Sequence, residues 1–202
     1  MNQTKLMAVA LCAAACVTTT VFAEDDFGIE SALPVTIADP VNPQPGMVLS
    51  GYKNSNRSVN ANWLKDSIPT LQKAPAIKTV IDKSEAFSLK GLGNTEANVG
   101  MWSGFLKCKR AGAYTITLSG GKTISDGYSV RVNGKPVIAA GKGQTGVDVL
   151  LKVGWNKVEI VCRFAGRSSP LSVVYKPKES LSDARPLTPA MLFHDQKPEE
   201  DW

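Results

Sequence analysis

Ser125-Asp126-Gly127 closes a polar connection, Ser119–Gly127, that lies between two stretches of alternating apolar and polar residues. A carboxylate beside a hydroxyl can exchange hydrogen bonds with a polyhydroxylated ligand, or lend oxygens to a hard cation. Gln144, Arg167 and Ser168 stand in two further polar connections, Ala140–Gly146 and Ala165–Pro170, next to Lys142 and Ser169. Together these groups make a hydrogen-bonding surface, with Asp126 its best single candidate. The plainer reading stays open beside it: Asp-Gly is an ordinary turn pair, and Arg167-Ser168-Ser169 an ordinary solvated loop.

Catalytic patterns are sparse. The one histidine, His194, falls near the C-terminus, so a Ser-His-Asp arrangement would hang on a peripheral segment. No glycine loop of phosphate-cradling spacing precedes a helical stretch. The chain is therefore expected not to be an enzyme. Cys108 and Cys162 are an even pair, too far apart and too few for a zinc ligand set. In an oxidising compartment they would form a disulfide; the alternative is two separate buried thiols. Trp102 and Trp155 occupy strand positions and read as core rather than as sugar platforms.

Residues 1–23 carry Lys5, an apolar and small-residue centre and the ending Val21-Phe22-Ala23, the pattern of a secretory leader cut before Glu24. The run is too short and too broken by threonines to span a membrane. Cys12 and Cys16 leave with it, and the formal net charge of +5 falls by one. The remaining basic residues are scattered, whereas nucleic-acid binding wants a clustered basic face. The expected product is exported (periplasmic, cell-surface or extracellular), without nucleic acid as partner and without a membrane span in the mature chain.

The elements that must position the candidate residues are short strands. Met47–Tyr52, Ala86–Lys90, Val99–Lys109, Ala113–Leu118, Tyr128–Val132, Pro136–Ala139, Val147–Val153, Lys157–Phe164 and Leu171–Tyr175 are apolar or alternating runs bounded by turn residues. Asn60–Leu71 offers the one hint of a helical turn. Residues 24–46, with Pro34, Pro40, Pro43 and Pro45, read as a proline-rich linker. Residues 47–195 read as one all-β domain, an antiparallel β-sandwich or partly closed barrel, and residues 196–202 as a flexible tail. Leu187–Phe193 is apolar enough to pack back on the body. If successive strands run antiparallel, the three polar loops share one end and the tight turns Arg110–Gly112, Asn133-Gly134 and Gly154–Asn156 the other. By the same parity Cys108 and Cys162 lie near opposite ends, unless their strands are staggered by about four residues, roughly 13 Å.

Several of these pieces, in this order, resemble the PA14 domain family. They are Gly46–Asn54, Trp102–Leu106, Ala111–Thr115, Ser125–Gly127, Val132–Ile138, Val153–Lys157 and the closing Pro186–Phe193. The resemblance covers nearly the whole body after residue 46. It implies a β-sandwich that binds carbohydrate or mediates adhesion in many members and serves assembly in others. In sugar-binding members two consecutive aspartates hold a calcium ion that grips sugar hydroxyls. Here the matching pair is Ser125-Asp126, so Asp126 alone would be a calcium ligand. The partner expected is a glycan or a surface or periplasmic protein, the latter if the chain is an accessory subunit of a surface or secretion apparatus.

Overall fold

A computed structural model describes residues 37–53, 71–120, 127–141, 144–164, 170–178 and 183–196. All lie in one compact unit, Val35–Trp202; a second unit, Met1–Pro34, falls outside the described residues. Most of the expected Asn60–Leu71 turn also lies outside them.

The described chain forms strands β1 (Pro43–Pro45), β2 (Met47–Tyr52), β3 (Lys78–Asp82), β4 (Val99–Cys108), β5 (Gly112–Gly120) and β6 (Tyr128–Val132). Then follow β7 (Lys135–Gly141), β8 (Gln144–Leu151), β9 (Gly154–Arg163), β10 (Leu171–Pro177), β11 (Arg185–Pro186) and β12 (Phe193–Asp195). One sheet runs β1-β12-β4-β9-β6-β7, with β2 and β3 added on the β12 side of β4; the other runs β11-β10-β5-β8. Every pairing is antiparallel. The two sheets stack as a sandwich and do not close into a barrel.

Alternation builds the core. Ile116 and Leu118 of β5 and Val149 and Leu151 of β8 face Val130, Val158 and Ile160 across the gap, while Thr115 and Asp148 point outward and hydrogen-bond each other at 2.7 Å. Strand β4 is apolar on both faces for a second reason. Its outer residues Val99 and Met101 pack with Tyr52, Val161 and Leu71 in a separate cluster beneath the segment that starts at Leu71. A strand covered on both sides loses its alternation.

Trp102 is fully buried and sits edge-on to Phe87 (5.5 Å) and Phe164 (5.9 Å). Its Nε1–H donates to Asp82 Oδ2 at 2.8 Å, and the backbone N–H of Ser84 donates to Asp82 Oδ1 at 3.0 Å. Both oxygens of a buried carboxylate are thereby engaged, as burial of a charge requires. Gly100 leaves room for the indole: a Cβ there would stand 2.6 Å from the ring.

Four findings depart from the sequence expectations. Ala86–Lys90 is not a strand: Phe87 makes one bridge to Leu171, and Leu89–Leu92 is a 3-10 turn whose two leucines, three apart, both enter the core. Pro43–Pro45, within the stretch read as linker, pairs with β12. Trp155 is on the outer face and half-buried, because it pairs with Lys107, whose parity along β4 is opposite to that of Trp102. The expected disulfide is absent. Cys108 pairs with Gly154 and Cys162 with Gly100, at opposite ends of the β4–β9 ladder, about 26 Å apart at the strand rise. The stagger that could have joined them does not occur. Leu187 and Leu192, by contrast, pack into the core as expected.

Three measurements check this arrangement. Denatured protein should show both Cys108 and Cys162 as free thiols by thiol titration. Native protein should react slowly at Cys162, whose burial pushes its thiol pKa upward. Asp82→Ala should lose about 2 kcal/mol in urea unfolding, since it leaves the Trp102 and Ser84 donors unmatched; an unchanged midpoint would show that the bond carries no stability.

Candidate binding site

The register puts the strand ends that flank the three polar loops at one end of the sandwich. In the smaller sheet Gly120 pairs with Leu171, and Ser119 with Gln144. In the larger sheet Tyr128 pairs with both Gly141 and Cys162. The opposite end holds Gly112 against Leu151 and Cys108 against Gly154.

That opposite end is locked by side-chain amides. Buried Asn156 donates from Nδ2 to Lys152 O (2.9 Å) and accepts at Oδ1 from Lys152 N (3.0 Å) and Asn133 Nδ2 (2.9 Å). Asn133, the one non-glycine residue with positive φ (50°) among those described, accepts at Oδ1 from Lys157 N at 2.9 Å. Here the Asn-Gly turn is spent on structure.

The loop end is joined differently. Tyr128 Oη donates to Leu118 O at 3.2 Å, tying β6 to β5 across the core. Burial raises the phenol pKa, so the bond holds through the neutral range. Gly127 has φ 102°, which favours glycine at the exit from the Ser119–Gly127 loop, and its carbonyl accepts from Arg163 N at 3.3 Å.

Of the candidates named from sequence, Ser125, Asp126, Arg167 and Ser168 lie outside the described residues. Gln144 is the first residue of β8, its backbone paired with Ser119; its side chain is outside the description. No contact among the five is described.

Three surface features carry no sequence signal that would have found them. Beside Pro170, a shallow hollow of about 250 Å³ is lined by Ser84, Glu85, Ser88 and Lys90. Glu85 Oε2 accepts there from Thr188 Oγ1 at 3.3 Å. On the outer face of the larger sheet, Trp155 stands 5.2 Å from Phe193 and 6.5 Å from Phe105, with Lys107 Nζ 5.0 Å from its ring. Where β12 diverges from β4 and β2 takes over its edge, an open cleft of about 520 Å³ is lined by Gln44, Val48, Thr79, Ile81, Lys83 and His194, among others. His194 is buried, its Nδ1 3.3 Å from Gly46 O. Its neighbours in the cleft include Asp195 and, among the described residues, no serine or cysteine. Among the described residues no three His, Cys, Asp or Glu side chains gather to hold a metal ion.

Tyr128→Phe should cost about 1 kcal/mol and loosen the loop end alone. Amide exchange at Gly120 and Gly127 should quicken while that at Cys108 and Gly154 is unchanged; uniform loosening would contradict a local tie.

No family model matches the sequence, and no curated protein matches it. Solved structures do share the fold. An anti-sigma factor domain-containing protein is 15% identical with a TM-score of 0.53, the match covering 82% of this chain and 51% of that one. The chain thus spans about half that protein's length. The PA14 domain of the antifreeze protein MpAFP is 16% identical at a TM-score of 0.55, over 81% of this chain and 98% of that domain. A PA14 sugar-binding domain from an RTX adhesin is 19% identical at 0.53, over 74% of this chain and 98% of that domain. At such identities the likeness is one of fold: the chain is an antiparallel β-sandwich of the PA14-like kind.

Proposed function

We propose that this chain is an exported, non-catalytic module that attaches to glycans through the loop end of its sandwich. The observation that carries the reading is the likeness of fold to PA14 domains, one of which is a sugar-binding domain of an adhesin. Asp126 and Ser125, with Gln144, Arg167 and Ser168, supply the contacts in this reading. Carboxylate, carboxamide, guanidinium and hydroxyl groups together match the paired donors and acceptors of vicinal sugar hydroxyls.

Calcium does not fit the residues at hand. The ion takes six to eight oxygens and wants several carboxylates, whereas Ser119–Gly127 brings one, Asp126. Recognition is therefore assigned to direct hydrogen bonds.

A glycan array probed with and without calcium tests the reading. Hits that persist in chelator and weaken about tenfold in Asp126→Ala, the loss of about one charge-assisted hydrogen bond, are expected. A blank array under both conditions would overturn it.

A further inference from the structure

Among the described residues strand β3 is an edge. It pairs with β2 on one side, and on the other its N–H and C=O groups meet no backbone partner among the described residues. Such an edge is a template for another strand. Ile77 and Ile81 are 48% and 43% exposed along it. Lys73, Lys78 and Lys83 are exposed as well, and none forms an ion pair among the described residues. The nearby acids are occupied: Asp82 faces Trp102, and Glu85 accepts from Thr188. Edge strands are commonly guarded by charge, but here the charge has one sign, which repels a second β3 and attracts an acidic strand.

The sequence contains one. Glu24-Asp25-Asp26-Phe27-Gly28-Ile29-Glu30 holds four acids, no base, and two large apolar residues at strand spacing. It is as long as Ile77–Lys83. We propose that this segment of a second copy of the chain adds to the free edge of β3 as an antiparallel strand. With Phe27 opposite Ile81, Asp25 falls opposite Lys83, Gly28 opposite Val80, and Glu30 opposite Lys78. Asp26 falls opposite Asp82, the one mismatch. Main-chain bonds supply affinity in such strand addition, and the side-chain pattern supplies register. Pro34 and Pro40 stand between the segment and β1, which is anchored on β12, and prolines favour the extended chain that reaches a neighbour. The contact is head-to-tail, so it propagates into chains unless it closes into a ring. It is independent of glycan binding at the loop end.

Analytical ultracentrifugation of the chain beginning at Glu24 tests this, at low and high salt. Concentration-dependent oligomers that shrink at high salt are expected, since exposed charges are then screened. Lys78→Glu with Lys83→Glu should weaken association at least tenfold, as should Asp25→Lys with Glu30→Lys, and mixing the two variants should restore it. Removing the acidic tail 197–202 should change nothing. In the Phe27→Cys, Ile81→Cys variant, oxidation should link one copy to the next. A monomeric wild type would overturn the proposal, even if a synthetic Glu24–Ser31 peptide bound the charge-reversed Asp25→Lys, Glu30→Lys variant, because the segment would then cap its own β3. Oligomers insensitive to the lysine substitutions, or lost with the tail, would overturn it too.

Discussion

The bond from the Trp102 indole to the Asp82 carboxylate organises much of this sandwich. Trp102 lies on β4, which carries β9 on one edge and both β2 and β12 on the other. Asp82 ends β3, and its second oxygen turns the chain at Ser84 toward Phe87. Phe87 bridges to Leu171 in the opposite sheet and packs on the same indole. One buried carboxylate thus joins the edge of the larger sheet to the first strand pair of the smaller. A buried charge tolerates only full satisfaction, so the local geometry has little latitude. Gly100 is part of the same constraint, since any side chain there would collide with the indole and with Leu89.

From that centre the two ends of the molecule diverge in character. One is closed by Asn133 and Asn156, whose carboxamides complete the hydrogen bonding of two successive turns and leave little to offer a ligand. The other is joined by Tyr128 across the core and then opens into the longer connections. A rigid scaffold with variable loops at one end is a common division of labour in β-sandwiches, and it makes binding at the loop end the natural reading. The outer faces add a second layer. The aromatic group around Trp155 lies toward the tight-turn end, whereas β3 begins level with the loop end, Lys78 standing in register with Gly51, Gly100, Cys162 and Tyr128 four strands away.

Strands with a clean period were legible. Met47–Tyr52 and Tyr128–Val132 form with the bounds that alternation and turn residues imply, and the connections after β5, β7 and β9 share one end as parity implies. The expected loop Ala140–Gly146, however, shrinks to residues 142–143, because β7 runs to Gly141 and β8 starts at Gln144. Other elements were not legible. Phe193–Asp195 and Pro43–Pro45 have no internal pattern long enough to declare a strand, and they exist because β4 offers an edge near Phe105. Lys78–Asp82 carried a weak signal, three residues of Thr-Val-Ile, too short to stand out. For Trp155 the residue type suggested core, but a pleat position one step removed sent it outward.

Local chemistry in the sequence determined that this chain is a β-sandwich and where its tight turns fall. Period-two alternation, Asn-Gly and other glycine turns act over a few residues, so they can be read in one dimension. Tertiary structure alone decided that Cys108 and Cys162 stay apart, that Asp82 is a structural acid bound to Trp102, and that β3 has, among the described residues, one edge without a backbone partner. Those outcomes depend on register and on which strand lies beside which. Both are settled only when sheets distant in sequence close over a shared core.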